Sequence, residues 1–412
     1  MDEISHYVTG LDVGTENVRA VVATVSESGK IAIIGYNEGK SNGMRKGVPA
    51  NLAGPAEAID KMLEEVERMS GRDVNSAYVS INGSQVLSTH TEGMIAVGTA
   101  EHEITDEDLN RVEDVAVTGR IPANRDVLDV IPLEYALDGQ AGIKDPIGMS
   151  GARLEMRACV ISALTPNCEN LKKAAEAANV ATERLVPSAV AAAKAVLTER
   201  QKENGVAVID MGAATTSVAV YEEGDLQYVG VVPAGSNNVT NDLAIVLAID
   251  PETAEEIKQR FVTGDFDNEK SPVIKVGKDE KTFNRKEVEE VVKARLDEIF
   301  SEVRKKLKSA KYDQRLPEGV VLTGGGAKMR DIDLFAKKVL EASARIGKPT
   351  GLDGVAEAIE KPEFATAVGL AMMAAEDAQY NAKPAKKAAK KPAKKAKPAN
   401  KESFIKRLFK KF

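Results

Sequence analysis

Tryptophan is absent from this chain, and 412 residues hold only two cysteines and three histidines. Cys159 lies in an apolar run and Cys168 at a helix start, so the pair reads as buried reduced thiols and excludes a disulfide-stapled scaffold. His6, His90 and His102 show no ligand spacing and no partner motif, so none is assigned a metal or nucleophile role. Apolar runs never approach the 18 residues of a membrane-spanning helix, and Met1 to His6 is acidic and polar, so no spanning segment or secretory leader is expected. Aromatics are scarce at 4 %, but the hydrophobic share of 43 % is ordinary, and the length suits two or three soluble globular domains.

Charge is abundant and unevenly placed. Residues 381–412 carry 13 Lys/Arg and one acid, net +12; the 380 residues before them carry 43 bases and 62 acids, net −19. An acidic body with a basic tail gives the tail an anionic partner of its own, or at least its own location.

The chain is organised around Gly205 to Tyr221, which reads as a buried strand, an Asp, a turn of small residues and hydroxyls, and a second strand. Such a turn offers backbone N–H groups and the Thr215 and Thr216 hydroxyls to phosphate oxygens, and Asp210 at the strand end can hold a hydrated divalent cation. Alone, an Asp-x-Gly turn is more often a plain hairpin. Here it occurs twice: Leu11-Asp12-Val13-Gly14 and Ile209-Asp210-Met211-Gly212 share one pattern, each followed by an apolar strand. Two such hairpins half a chain apart predict two related domains whose turns face each other across a cleft.

Between the repeats, Ile31 to Tyr36 and Ser76 to Ile81 read as strands and Pro55 to Met69 as an amphipathic helix. From 84 to 160 the texture changes to short strands (Ile95 to Val97, Val127 to Val130) around a helix opened by Thr105-Asp106-Glu107-Asp108, an inserted small α/β domain suited to interaction. Thr165-Pro166 opens a helix, and Pro187 to Leu197 is an alanine-rich helix placed to cross between the halves. After the second hairpin, Gly235 to Asp242 reads as a polar turn opening a helix from about Asp242 to Ile249. A loop spans Gly264 to Gly277, and a long helix runs from Arg285 to about Lys308. That helix is mostly structural and could also lend Lys293 and Arg295 to a nucleotide at one end. Gly319 to Ala327 is a buried strand ending in the triple-glycine turn Gly324, Gly325, Gly326, where a ligand can approach the backbone. Phe364 to Met372 reads as a second crossing helix.

The end of the chain divides in two. Residues 381–401 repeat Pro-Ala-Lys units that prevent one continuous helix and form a disordered spacer. In residues 402–412, Phe404, Ile405, Leu408, Phe409 and Phe412 share one helical face while Lys406, Arg407, Lys410 and Lys411 fill the other, the pattern of a helix lying on an anionic membrane. A basic tail also suits nucleic acid, but clustered Phe at helical spacing favours lipid, and no nucleic acid is expected.

In this order, the motifs resemble the actin-like ATPase superfamily, and the chain is similar within it to the FtsA family of bacterial cell-division actin homologues. Ser41 to Gly47, Asp129 to Asp138, Gly142 to Gly151, Phe364 to Ala371 and the terminal basic-apolar helix carry the likeness. It implies an α/β, actin-like ATPase fold, two ribonuclease-H-like domains around a nucleotide cleft, with the insert in place of actin subdomain 1B. Domain I would take 1–83, 161–197 and 364–380, the insert (subdomain 1C) 84–160, domain II 198–240 and 312–363, and a helical subdomain 241–311. It further implies ATP with Mg²⁺, with Gly14, Thr15, Glu16, Asn17, Gly212, Thr215 and Thr216 near phosphates. Asp12 and Asp210 would serve the metal through water, and Gly324, Gly325, Gly326, Lys293 and Arg295 would lie near the adenosine. Implied partners are the C-terminal peptide of the tubulin homologue FtsZ, further copies of the chain, the anionic membrane surface and later division proteins through 84–160, on the cytoplasmic face of the cell membrane at the division site.

Ala213 and Ala214 stand where the family usually has glycines, Ser217 where Asp is common and Asp331 where Gly is frequent. These departures bear on hydrolysis more than on binding, and imply at most a slow ATPase. The alanine-bearing turn also resembles PilM, a pilus-assembly scaffold of the same fold. A soluble kinase or chaperone ATPase is the remaining alternative, against which no substrate motif or substrate domain is found.

Overall fold

The computed structural model describes residues 4–260, 273–276 and 281–382. The basic spacer beyond 382, the terminal amphipathic stretch and most of the loop expected between Gly264 and Gly277 lie outside them.

Strands Ile4–Val13 and Asn17–Ser26 form the first hairpin, with Asp12 opposite Arg19. Strands Val206–Met211 and Thr216–Glu222 form the second, with Asp210 opposite Ser217. The two turns close alike. Gly14 N–H donates to the Asn17 carbonyl at 3.1 Å, and Gly212 N–H to the Thr215 carbonyl at 2.9 Å.

The repeat extends to whole sheets. In the first half the hairpin is flanked antiparallel by Ile31–Lys40 on one side and parallel by Ser76–Ile81 and then Ala181–Pro187 on the other. The second half reproduces this arrangement with Asp225–Val232 on one side and Val320–Thr323 and Ala344–Ile346 on the other. One segment changes sides: Asp353–Gly354, which the sequence reading assigns to domain II, pairs with Ile31–Lys40 and extends the first sheet.

Helices cover both faces of the second sheet, which explains the unbroken apolar run of Val206–Met211. Val206 and Val208 pack into the core shared with the first half, while Ala207, Ile209 and Met211 pack into the second half's own core. Helices Ser188–Val196 and Ala365–Ala382 cross between the halves and pack on each other, with Lys194 paired to Glu376. Their small residues bring backbones together: a Cβ at Gly369 would fall on the Ala191 carbonyl, and one at Gly10 on the Ala367 carbonyl. Each close approach therefore requires glycine.

The insert is a four-stranded antiparallel sheet, in the order Leu87–Ala96, Arg153–Leu164, Arg125–Leu137, Gln140–Ile143, covered by helix Asp106–Val117. Thr105 and Asp108 form the expected capping box. Its strands are longer than the short apolar runs suggest, because only one face is buried: in Leu87–Ala96, Thr91, Gly93 and Ile95 are buried between exposed neighbours. Pro132 is accommodated where the register shifts opposite Ala158. The insert leans on the edge of the second sheet. Ser88 Oγ both accepts from Val229 N–H at 2.9 Å and donates to its carbonyl at 3.2 Å, His90 Nε2 meets the Gln227 carbonyl at 2.8 Å, and Lys144 pairs with Asp225 at 2.8 Å.

The helix expected from Asp242 begins six residues earlier, as Ser236–Val246. Tertiary partners hold its first turn: Gly235 N–H donates to Asn238 Oδ1, and the N–H groups of Ser236 and Asn237 donate to the carbonyls of Gly212 and Ala213 at 2.9 and 2.8 Å. A polar stretch that reads as a turn is thus helical because the second hairpin caps it.

Candidate functional site

The two acidic turns face one cleft of about 940 Å³ between the halves. Asp12 and Asp210 lie in its wall, each 8 % exposed. Ser80 Oγ donates to Asp12 Oδ1 at 2.7 Å and accepts from Val13 N–H at 3.0 Å, which fixes the carboxylate at its strand end. Gly324 approaches Asp210 so closely that a Cβ would meet its Oδ1, and φ of 82° there also favours glycine.

Burial raises the pKa of both carboxyls. For Asp12 the positive charge of Arg19 partly offsets it. Asp210 is pushed up to about 6, first by burial and further by the negative charge of Asp12, against a hydrogen bond from Ser188. Two buried carboxyls, one of which has its ionisation opposed by the other, fit a hard divalent cation, whose charge would favour both anions. No cluster of three or more His, Cys, Asp or Glu among the described residues could hold a metal. The donor set therefore fits an ion held largely through water.

Most of the anticipated residues converge on this cleft. Gly14, Thr15, Glu16 and Asn17 come from the first turn, Gly212 and Thr215 from the second, and Gly324, Gly325 and Gly326 from the triple-glycine turn. The Thr15 hydroxyl accepts from Gly47 N–H at 3.0 Å, tying the Ser41 to Gly47 loop to the turn. Glu16 spans the cleft: its carboxylate accepts from Lys40 at 2.8 Å and from Asn237 of the other half at 2.9 Å. The Lys40 hydrogen bond is the main reason that its pKa is lowered. Ala213 lines the cleft and Ala214 does not.

Three anticipated residues do not join the others. Thr216 is fully buried, with its hydroxyl donated to the Ala234 carbonyl at 2.8 Å. Arg295 is committed to Asp242 at 2.6 Å and to Glu298, and Lys293 is exposed on the same helix, Arg285–Ser309, outside the cleft lining. The cations that do line the cleft are Arg19, Lys40, Lys258 and Lys328.

Sequence reasoning missed helix Pro251–Arg260, which brings Glu255 and Lys258 to the cleft. Thr240 Oγ1 donates to Glu255 at 2.7 Å, and buried Lys258 pairs with Glu255 at 2.6 Å. The signal was present as Asp250-Pro251-Glu252-Thr253: Thr253 N–H donates to Asp250 Oδ1 at 2.8 Å, a helix start, followed by an acid and a base three apart.

Two halves with matching sheet order, joined by two crossing helices around an acid-lined cleft, define an actin-like ATPase fold. Solved structures agree: the PilM-PilN type IV pilus biogenesis complex matches at TM-score 0.66 and 16 % identity over 89 % of this chain and 98 % of that one. MreB5 of Spiroplasma citri bound to ADP matches at TM-score 0.54 and 14 % identity over 92 % and 99 %. These likenesses establish the fold alone.

Sequence comparison goes further. The family model "Cell division protein FtsA" matches residues 207–369, and "SHS2 domain inserted in FTSA" matches 83–162, which delimits the insert. The cell division protein FtsA of Pseudomonas aeruginosa is 32 % identical over 371 residues, 89 % of this chain and 88 % of its own. The chain belongs to the FtsA family of cell-division proteins.

Proposed function

We propose that this division protein binds ATP with Mg²⁺ in the cleft, polymerises on the cytoplasmic face of the cell membrane at the division site, and tethers FtsZ there. The observation that carries the nucleotide reading is the pair of buried carboxylates, Asp12 and Asp210, delivered by the two repeated turns to one cleft. Gly14, Thr15, Asn17, Gly212 and Thr215 would surround the phosphates, and Gly324 to Gly326 with Glu255 and Lys258 the nucleoside. Mg²⁺ would supply positive charge between the carboxylates and the phosphates. The ADP named for the MreB5 structure supports an adenine nucleotide.

Membrane attachment rests on the sequence of residues 402–412, where the basic and aromatic faces separate. Each cation near an anionic leaflet contributes about 1 kcal/mol, so one short helix holds weakly and many copies in a polymer hold firmly. The insert 84–160 would carry self-contacts and later division proteins, and the helical region 241–311 the C-terminal peptide of FtsZ. Ala213 and Ala214, standing where the family usually has glycines, favour a nucleotide-gated polymeriser with at most slow hydrolysis.

Titration with a fluorescent ATP analogue tests the cleft. Saturable binding that EDTA abolishes, and that Asp12→Ala or Asp210→Ala weakens tenfold or more, is expected; binding indifferent to both changes overturns the assignment.

A further inference from the structure

Strand Ser76–Ile81 carries Ser80 behind Asp12 and leads into Asn82 just past its end. Ser80 is taken by Asp12. Asn82, two residues on, lines the cleft, and its Oδ1 accepts from Ser188 Oγ at 2.6 Å and from Ser217 Oγ at 3.1 Å. Ser188 opens the first crossing helix and also hydrogen-bonds Asp210, while Ser217 is the strand partner of Asp210 in the other half. Asn82 thus stands in a polar chain that ends on Asp210, two residues beyond the Ser80 that holds Asp12.

The Ser217 hydroxyl, joined by that of Ser188 when it turns from Asp210, holds Oδ1 and orients the amide. Its Nδ2 makes no hydrogen bond to the described residues and is not among their buried unpartnered atoms, so two donors remain open to the cleft. A neutral donor is what this place calls for: an anionic oxygen arriving between two carboxylates is repelled by both, and an amide N–H stabilises it without competing for the cation. The two tethers also differ in origin, because Ser217 belongs to the second half. If the halves part, Ser217 leaves and the amide is free to turn.

Resting on the nucleotide reading above, we propose that Asn82 is a specificity-determining residue that donates to the terminal phosphoryl oxygen of a polyphosphate, and that Ser217 makes this donor depend on closure of the halves. The alternative is a clasp that only holds the fold together, which would treat all nucleotides alike.

The test measures dissociation constants of the full chain with Mg²⁺ for ATP, ADP and AMP, alongside ligand-free thermal melting. Asn82→Ala removes the donor without adding a charge. It should weaken ATP tenfold or more, as for one lost hydrogen bond to a charged group, and AMP less than threefold. Ser217→Ala should move ATP binding in the same direction by a smaller factor with the melting temperature unchanged. If Asn82→Ala fails to fold, Asn82→Val carries the same expectation. Equal weakening of all three nucleotides, or none, overturns this proposal alone; a wild-type chain that binds none of them overturns the underlying reading with it.

Discussion

Asp210 pays for its position with a buried charge, and the sign of that effect is testable. Its pKa is about 6 against an ordinary value of 3.8. The folded state therefore favours the protonated acid, and the stability this gives is complete below about pH 4 and lost as pH rises through 6. Two units correspond to about 3 kcal/mol. Asp210→Asn should raise the ligand-free melting temperature at pH 8 in EDTA and leave it level or lower at pH 4. An equal shift at both values would remove burial as the cause. Both carboxylates were legible in the sequence because the apolar-Asp-apolar-Gly pattern is local and repeated. Lys258, Glu255 and Asn82 were not, since their roles come from elements meeting in space. Helical periodicity showed which face of Arg285–Ser309 is buried, but not that Arg295 would be spent on Asp242.

At the scale of elements, the crossing helices depend on missing side chains. A Cβ at Gly369 would enter the Ala191 carbonyl, and neither backbone can retreat without moving a half. Gly369→Ala should cost about 2–3 kcal/mol in urea denaturation, at the upper end of overpacking effects; a cost below 0.5 kcal/mol would mean that the helices are not in contact. The two hairpins and the alanine-rich helix were readable because strand and helix periods are strong signals over such runs. The start of Ser236–Val246 was not, because its cap is supplied by Gly212 and Ala213, more than twenty residues back in the chain. The long strands of the insert escaped for a related reason: their outward faces are polar, and apolar runs mark only the buried half.

For the whole molecule, the repeat of hairpins announced two halves, and the sheet order shared by both bears that out. The terminal residues 402–412 act, on the proposed reading, only when many copies assemble. Full-length chain should carry FtsZ into the pellet with anionic vesicles, and a chain ending at Lys401 should leave FtsZ in the supernatant; equal pelleting would end the membrane role of the tail. The seam between the insert and the second sheet has a mechanical consequence. Ser88 on Val229, His90 on Gln227 and Lys144 on Asp225 rivet a domain rooted in the first half onto the flank of the second. Opening the cleft on that side would have to break these contacts. A pull on the insert would therefore load the flank of the second half as well as the half from which the insert springs.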